Sequence, residues 1–258
     1  MKFMDLNCDM GESFGDYCLG CDDEVIRYIT SANLACGFHA SDPLVMDQTV
    51  RLCAEHGVAV GAHPGYPDLR GFGRRNLDST PDEVRTDVLY QTGALAGIAK
   101  AHGVSLQHVK PHGALYNTAA AHPATAQAIA QAVAFYDPGL ILVTLAGPAG
   151  EGFRTVAGEM GLTVASEAFA DRAYTAEGRL VPRGTQGAVI HDPELVAARC
   201  VRMATEGVVE SIDGKPVELK ADTICVHGDN PSAVELVKAL SQALTEAGVE
   251  LKAMGHAG

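Results

Sequence analysis

Six side chains of this sequence are of the right type and placement to do chemistry together: Asp9, Glu12, His39, His63, Lys110 and His112. Each lies at, or just past, the end of a short apolar run. The runs are Asp5-Leu6-Asn7-Cys8-Asp9, Ala35-Cys36-Gly37-Phe38-His39, Val60-Gly61-Ala62-His63-Pro64 and His108-Val109-Lys110-Pro111-His112. A further run, Cys225-Val226-His227-Gly228-Asp229, ends the same way. Carboxylates and imidazoles in one place serve as general acids and bases. The same set, as Asp9, His39 and His63 with Glu12, could hold a divalent metal. A lysine beside them neutralises an anion or polarises a carbonyl.

One histidine alone is more often a structural residue than a catalyst. What singles out His39, His63, His112 and His227 is their shared position after apolar runs. His56, His102, His122 and His191 fall at helix ends, where capping explains them. Asp5, Asn7 and Asp9 alternate along the first run and so share one face. Acids on an interior face are costly unless paired or used. The segment 63–75 carries Arg70, Arg74 and Arg75 among glycines. Guanidinium groups there suit a carboxylate or phosphate. Asp171 and Arg172 read as a structural ion pair, and Cys36 and Cys225 as core thiols.

The elements that must position these groups alternate. Apolar, β-prone runs lie near 2–7, 31–36, 57–62, 106–110, 140–145, 161–166 and 222–227. Helical stretches follow each, with starts at Asp22-Asp23-Glu24, Ser41-Asp42-Pro43, Ser79-Thr80-Pro81, His122-Pro123, Gly147-Pro148, Asp192-Pro193 and Asn230-Pro231. Pro at the first helical position and Gly just past the last explain several boundaries. Alternating strand–helix units predict a parallel sheet covered by helices. No Gly-x-Gly-x-x-Gly follows the first strand, and polar groups end many strands. Both points favour a seven-stranded parallel β/α barrel, related to the TIM barrel, with its site at the C-terminal rim. No linker divides residues 1–258, so one domain is expected. An extra hairpin is expected within 167–190, with a short strand at Gly187-Ala188-Val189-Ile190.

The bulk properties narrow the partners. The 258 residues are 47% hydrophobic and 20% charged, with a formal net charge of −13. That charge argues against nucleic acid and anionic membrane as partners. The chain opens directly into a strand, and no apolar run approaches the roughly 20 residues that span a bilayer. Seven scattered cysteines give no disulfide framework. A cytoplasmic protein is expected. The lone Cys18-x-x-Cys21 is a weak zinc signal. Serine-hydrolase, zincin and Walker signatures are missing.

These motifs, in this order, resemble the LamB/YcsF family, the A subunit of bacterial 5-oxoprolinase. The resemblance rests on Asp5-Leu6-Asn7 with Asp9, Gly11 and Glu12, on Ser31-Ala32-Asn33 with Ala35 to Ala40, and on Gly61-Ala62-His63-Pro64 and Phe72-Gly73-Arg74. It continues through His108 to Gly113 with Leu115-Tyr116-Asn117, Phe169-Ala170-Asp171-Arg172, Leu180-Val181-Pro182-Arg183 and His227-Gly228-Asp229. Ser41 departs from the family, where glycine is usual. The resemblance implies a deacetylase-like barrel that opens the 5-oxo-L-proline lactam to L-glutamate with ATP as co-substrate. It also implies two partner subunits, B and C, which resemble allophanate hydrolase halves. Phosphorylating the lactam oxygen would make it a leaving group, and water would attack with Asp9 or a rim histidine as base. On this reading Glu12, His39, His63, Lys110 and His112 complete the catalytic group. Asn7, Arg70, Arg74, Asn117, His227 and Asp229 bind substrate, Arg74 on its carboxylate. A metal-dependent amidohydrolase needing no ATP, and a non-catalytic binding subunit, are the alternatives.

Overall fold

A computed structural model describes residues 2–226 and 233–255. His227 and Asp229 lie outside the described residues. β1 (Lys2–Met10) is the longest strand and the seam of the barrel. It pairs in parallel with β2 (Ser31–Ala35) on one side and β9 (Thr223–Val226) on the other. β3 (Ala59–His63), β4 (Leu106–Val109), β5 (Ile141–Leu145) and β6 (Thr163–Phe169) complete the ring between them. Because β6 also pairs with β9, seven parallel strands close on themselves. The first three residues of β1 extend below the ring and pair with β10 (Val249–Leu251).

Alternation along β1 sorts its side chains. Leu6, Cys8 and Met10 join the apolar core under the helices. Asp5, Asn7 and Asp9 are buried polar residues that hydrogen-bond across the barrel interior. The barrel axis is therefore a hydrogen-bonded polar column, and the hydrophobic core is the layer between strands and helices.

The helices form where sequence chemistry starts and stops them. In α2 (Pro43–His56) the Asp42 carboxylate accepts from the Leu44 and Val45 amides, and Gly57 ends the helix at φ +67°. α3 (Pro81–Ala101) carries a full capping box between Thr80 and Glu83. α5 (Pro123–Tyr136), α6 (Glu151–Glu159), α7 (Pro193–Glu206) and α8 (Ala233–Glu246) follow the remaining strands. Expected helix 22–30 is shorter, with α1 (Asp22–Val25) running into a 3-10 turn.

Three elements were not expected. α4 (Gly113–Ala121) begins immediately after the Lys110-Pro111-His112 segment. A hairpin, β7 (Val208–Glu210) with β8 (Pro216–Glu218), inserts before β9. β10 is the third. The segment 187–190 forms no strand; single antiparallel bridges, Arg172 to Val189 and Tyr174 to Leu180, hold that loop instead. Among the described residues, no helix is long and apolar enough to cross a membrane.

Candidate functional site

Lys110 follows β4, and its side chain crosses the barrel interior, only 1% exposed. Its Nζ lies 2.7 Å from Asp9 Oδ1, 2.9 Å from Glu167 Oε1 and 3.2 Å from Cys225 Sγ. All three N–H groups of the ammonium thus have protein acceptors. Burial by itself would lower its pKa. The charges of Asp9 and Glu167, with the hydrogen bond to Asp9, outweigh that and hold it well above the ordinary lysine range. A buried lysine between two carboxylates stays charged because it is paired.

The carboxylates are fixed from below. Asn33 Nδ2 donates to Asp9 Oδ1 at 2.9 Å and to Asn7 Oδ1 at 2.7 Å. Asn7 Nδ2 donates to Glu167 Oε1 at 3.1 Å and to Thr223 Oγ1 at 2.6 Å. Thr223 in turn donates to Asp5, which also accepts from Thr30 and Ser31. His108 Nε2 donates to Asn33 Oδ1 at 2.7 Å, and burial drives its pKa down to about 3. His108 fits beside β3 because position 61 is glycine; a Cβ there would meet the imidazole at 2.1 Å.

The histidines form a second cluster. His63 Nδ1 donates to the Lys110 carbonyl at 2.8 Å, and His112 Nε2 donates to the Phe72 carbonyl at 2.9 Å. Carbonyl oxygens only accept, so these bonds fix one proton on each ring. His63 Nε2 and His112 Nδ1 then face each other at 2.9 Å. Two lone pairs at that distance repel, so a proton or another cation belongs between them. Burial, then His39 and His63, hold the His112 pKa well below its ordinary value, so His112 does not itself carry such a proton.

His39 stacks on His112 with ring centroids 3.7 Å apart and 4° between planes. Both its ring nitrogens are buried with no hydrogen-bond partner among the described residues. Its Nε2 lies 3.4 Å from Glu12 Oε1, which is 3.6 Å from His112 Nδ1. Ligand atoms of Glu12, His39, His63 and His112 all fall within 4.8 Å of one another. Three imidazoles and a carboxylate suit a borderline divalent ion, so these residues fit one. The set differs from the expected Asp9, His39 and His63. Asp9 Oδ1 is engaged by Lys110 and Asn33, and its Oδ2 is 3.4 Å from His63 Nε2.

A cavity of about 500 Å³ opens over this centre. Asp9, His63, Lys110, His112, Asn117 and Arg74 line it. Arg74 lies over the Phe72 ring, 4.8 Å from its centroid. Arg70 is exposed in a 3-10 turn and does not line the cavity, while Arg75 pairs with Asp68. Asn7 sits beneath the cavity floor rather than in it. Sequence reasoning passed over other residues of the site. Arg172 and Arg183 line the cavity wall, although Arg172 spends Nη2 on the Val181 carbonyl at 2.7 Å. Glu167 and Cys225 contact the lysine, and Tyr116 lines the cavity. Glu167 falls just past the expected sixth strand and Cys225 reads as a core thiol, and the pairing of β6 with β9 brings them together at Lys110.

A closed parallel β/α barrel with carboxylates, imidazoles and a buried lysine under one rim cavity has the build of a β/α-barrel small-molecule site. Residues 4–257 match the LamB/YcsF family profile, and the chain belongs to that family. A Syntrophobacter fumaroxidans protein, named as the A subunit of 5-oxoprolinase, is 57% identical over 251 residues, covering 97% of this chain and 98% of its own. A Pyrococcus horikoshii protein of the same name is 56% identical over 251 residues, 97% of each chain. The crystal structure of a lactam utilization protein from Thermus thermophilus superposes with a TM-score of 0.92 at 51% identity. It covers 98% of this chain and 100% of that one.

Proposed function

We propose that this chain is the A subunit of an ATP-dependent 5-oxoprolinase that hydrolyses the 5-oxo-L-proline lactam to L-glutamate, working with subunits B and C in the cytoplasm. The observation that carries this reading is the cavity itself. It joins an ionised Asp9–Lys110 pair to outer arginines, and a lactam bearing a carboxylate needs both. End-to-end similarity to relatives named for that activity supports it.

A lactam carbonyl is a poor electrophile. Its oxygen attacks the γ-phosphorus of ATP; the new O–P bond forms as the bond to ADP breaks, and ADP takes the electron pair. Water then adds to the activated carbon, giving its proton to Asp9 Oδ2. The C–N bond breaks, the nitrogen takes up a proton, and an acyl phosphate remains. A second water splits that into the glutamate side-chain carboxylate and phosphate. Lys110 stabilises negative charge at the reacting carbon's oxygen. Its contact with the Cys225 thiol, a weak acceptor, is the N–H most readily redirected. Arg74 and Arg183 hold the substrate carboxylate, and Asn117 contacts its polar edge. Glu12, His39, His63 and His112 would hold a divalent ion. Bound there, it would supply Lewis-acid polarisation or a more acidic water.

The test mixes the chain with subunits B and C, 5-oxo-L-proline and ATP, and follows glutamate and phosphate. Equal release, strictly dependent on ATP, is expected. Glutamate release by this chain alone, with a divalent metal and no ATP, would overturn the reading in favour of the metal-dependent amidohydrolase that the histidine cluster also suits.

A further inference from the structure

We propose that the Tyr116 hydroxyl is a hydrogen-bond donor to the oxygen of the reacting carbon, and so a catalytic residue of the lactam-opening site. This deepens the function proposed above and rests on it. Tyr116 lies on α4, lines the same cavity as Asp9 and Lys110, and is 4% exposed. Its hydroxyl oxygen is buried and makes no well-aligned hydrogen bond among the described residues; the Glu167 carboxylate acts on it only through a poorly aligned one. A buried phenol normally finds a partner, and leaving one unmade costs roughly 1–3 kcal/mol. A polar atom kept at such cost beside a cavity is matched to what enters the cavity.

The phenol serves as a donor. Burial, reinforced by the Glu167 charge, raises its pKa well above the ordinary tyrosine range, so it keeps its proton. The acceptor follows from the cavity's polarity. Asp9 and Lys110 mark the reacting end, and the exposed Arg74 and Arg183 mark the carboxylate end. With the Lys110 donors largely committed to protein acceptors, a second, neutral donor at the reacting end complements the carbonyl oxygen of the acyl phosphate, which becomes anionic when the second water adds to that carbon. Such a donor strengthens as charge develops and so lowers the barrier.

The rival is structural. The Glu167 carboxylate also has an oxygen, Oε2, with no well-aligned hydrogen bond among the described residues, and the phenol already acts on that carboxylate. Tyr116→Phe separates the two, because it removes only the hydroxyl. On the catalytic assignment the variant melts no lower than the parent, since it loses a buried group whose only internal contact is poorly aligned. Its kcat with subunits B and C falls roughly 100-fold or more, the scale for losing one oxyanion donor, and KM rises by about 5-fold at most. Calorimetric titration of the chain with 5-oxo-L-proline reads the contact without turnover, with affinity about 5-fold weaker, the scale of one neutral hydrogen bond. A lowered melting temperature overturns the assignment in favour of the Glu167 contact. Parent-like kcat and affinity overturn it outright. If the parent itself neither binds nor turns over the lactam, the functional reading above has failed and this inference falls with it; that result is distinct from a variant matching an active parent.

Discussion

Lys110 Nζ and Asp9 Oδ1 lie 2.7 Å apart in a barrel interior where neither residue is more than 7% exposed. Glu167 shares the same ammonium at 2.9 Å. Removing the lysine would leave two carboxylates buried without their counter-ion. Lys110→Met keeps the length and removes the charge, and breaking a buried pair in this way costs about 3–5 kcal/mol. At about 2–4 °C per kcal/mol for a chain of this size, melting should fall by roughly 10 °C. Glutamate release should be lost as well. A melting temperature within about 2 °C of the parent would show that the pair is not a stabilising one.

Gly61 and His108 test the column beneath the site. A Cβ at position 61 would sit 2.1 Å from His108 Nε2, the atom that holds Asn33 Oδ1. The imidazole must shift, and Asn33 would lose the contact that orients it toward Asp9. Gly61→Ala should cost about 1–3 kcal/mol as overpacking and reduce turnover together with stability. An unchanged urea midpoint and rate would show that the column tolerates the displacement.

Much of this site could be read from the sequence, and the limits have physical causes. His39, His63, His112 and Lys110 were legible because polar groups ending apolar runs must gather at one rim of a parallel barrel. Glu167, Cys225 and Tyr116 were not. Glu167 and Cys225 reach Lys110 from strands distant from it in sequence, and Tyr116 sits on a helix that the sequence pattern does not announce. α4 was missed because it opens at Gly113, at φ +51°, and buries Ala114, Leu115, Tyr116 and Ala119, leaving little polar periodicity. β7, β8 and β10 are three residues each, too short for alternation to register. Arg70 and Arg74 were both expected to bind substrate, Arg74 on its carboxylate; the turn at Leu69–Gly71 separates them, and of the two only Arg74 lines the cavity.

Ser41, where the family usually has glycine, adopts φ +74°. That left-handed conformation costs a non-glycine residue roughly 1–2 kcal/mol. Its hydroxyl recovers little, with one long contact of 3.4 Å to the Asp42 carbonyl. Ser41→Gly should therefore stabilise the protein by about 0.5–1 kcal/mol after the extra unfolded-state freedom of glycine is subtracted. Chemical denaturation measures this directly. A destabilised variant would mean the hydroxyl matters more than the backbone strain.

Asp22 is a largely buried carboxyl whose side chain accepts from the Gly11 amide at 2.8 Å. Burial, with Glu12 and Asp23 nearby, pushes its pKa up to about 6 from 3.8. A carboxyl whose folded pKa is raised favours the fold when protonated. Its contribution is full below about pH 4 and is lost as pH rises toward 6. Asp22→Asn keeps the acceptor for Gly11 and removes the charge. It should stabilise the metal-free protein by about 1–3 kcal/mol at pH 8 and by almost nothing at pH 3.5. A gain independent of pH would locate its origin elsewhere.

The His63–His112 contact makes the last prediction. Each ring gives its fixed proton to a backbone carbonyl, so the 2.9 Å approach of the other nitrogens calls for a cation. His39, with both nitrogens lacking hydrogen-bond partners among the described residues, adds a ligand that nothing else in the fold explains. A divalent ion at 100 times its dissociation constant should raise stability by about 2.7 kcal/mol. Melting curves of the chelator-treated chain with Zn²⁺, Mn²⁺ or Co²⁺ read this without any assay of turnover. His39→Ala should bind roughly 10-fold or more weakly, since one imidazole–metal bond is lost. Metal analysis after dialysis should find less ion on that variant than on the parent. If none of the three ions shifts the parent's melting curve, the pair shares a proton instead and the cluster is an acid–base device rather than a metal centre.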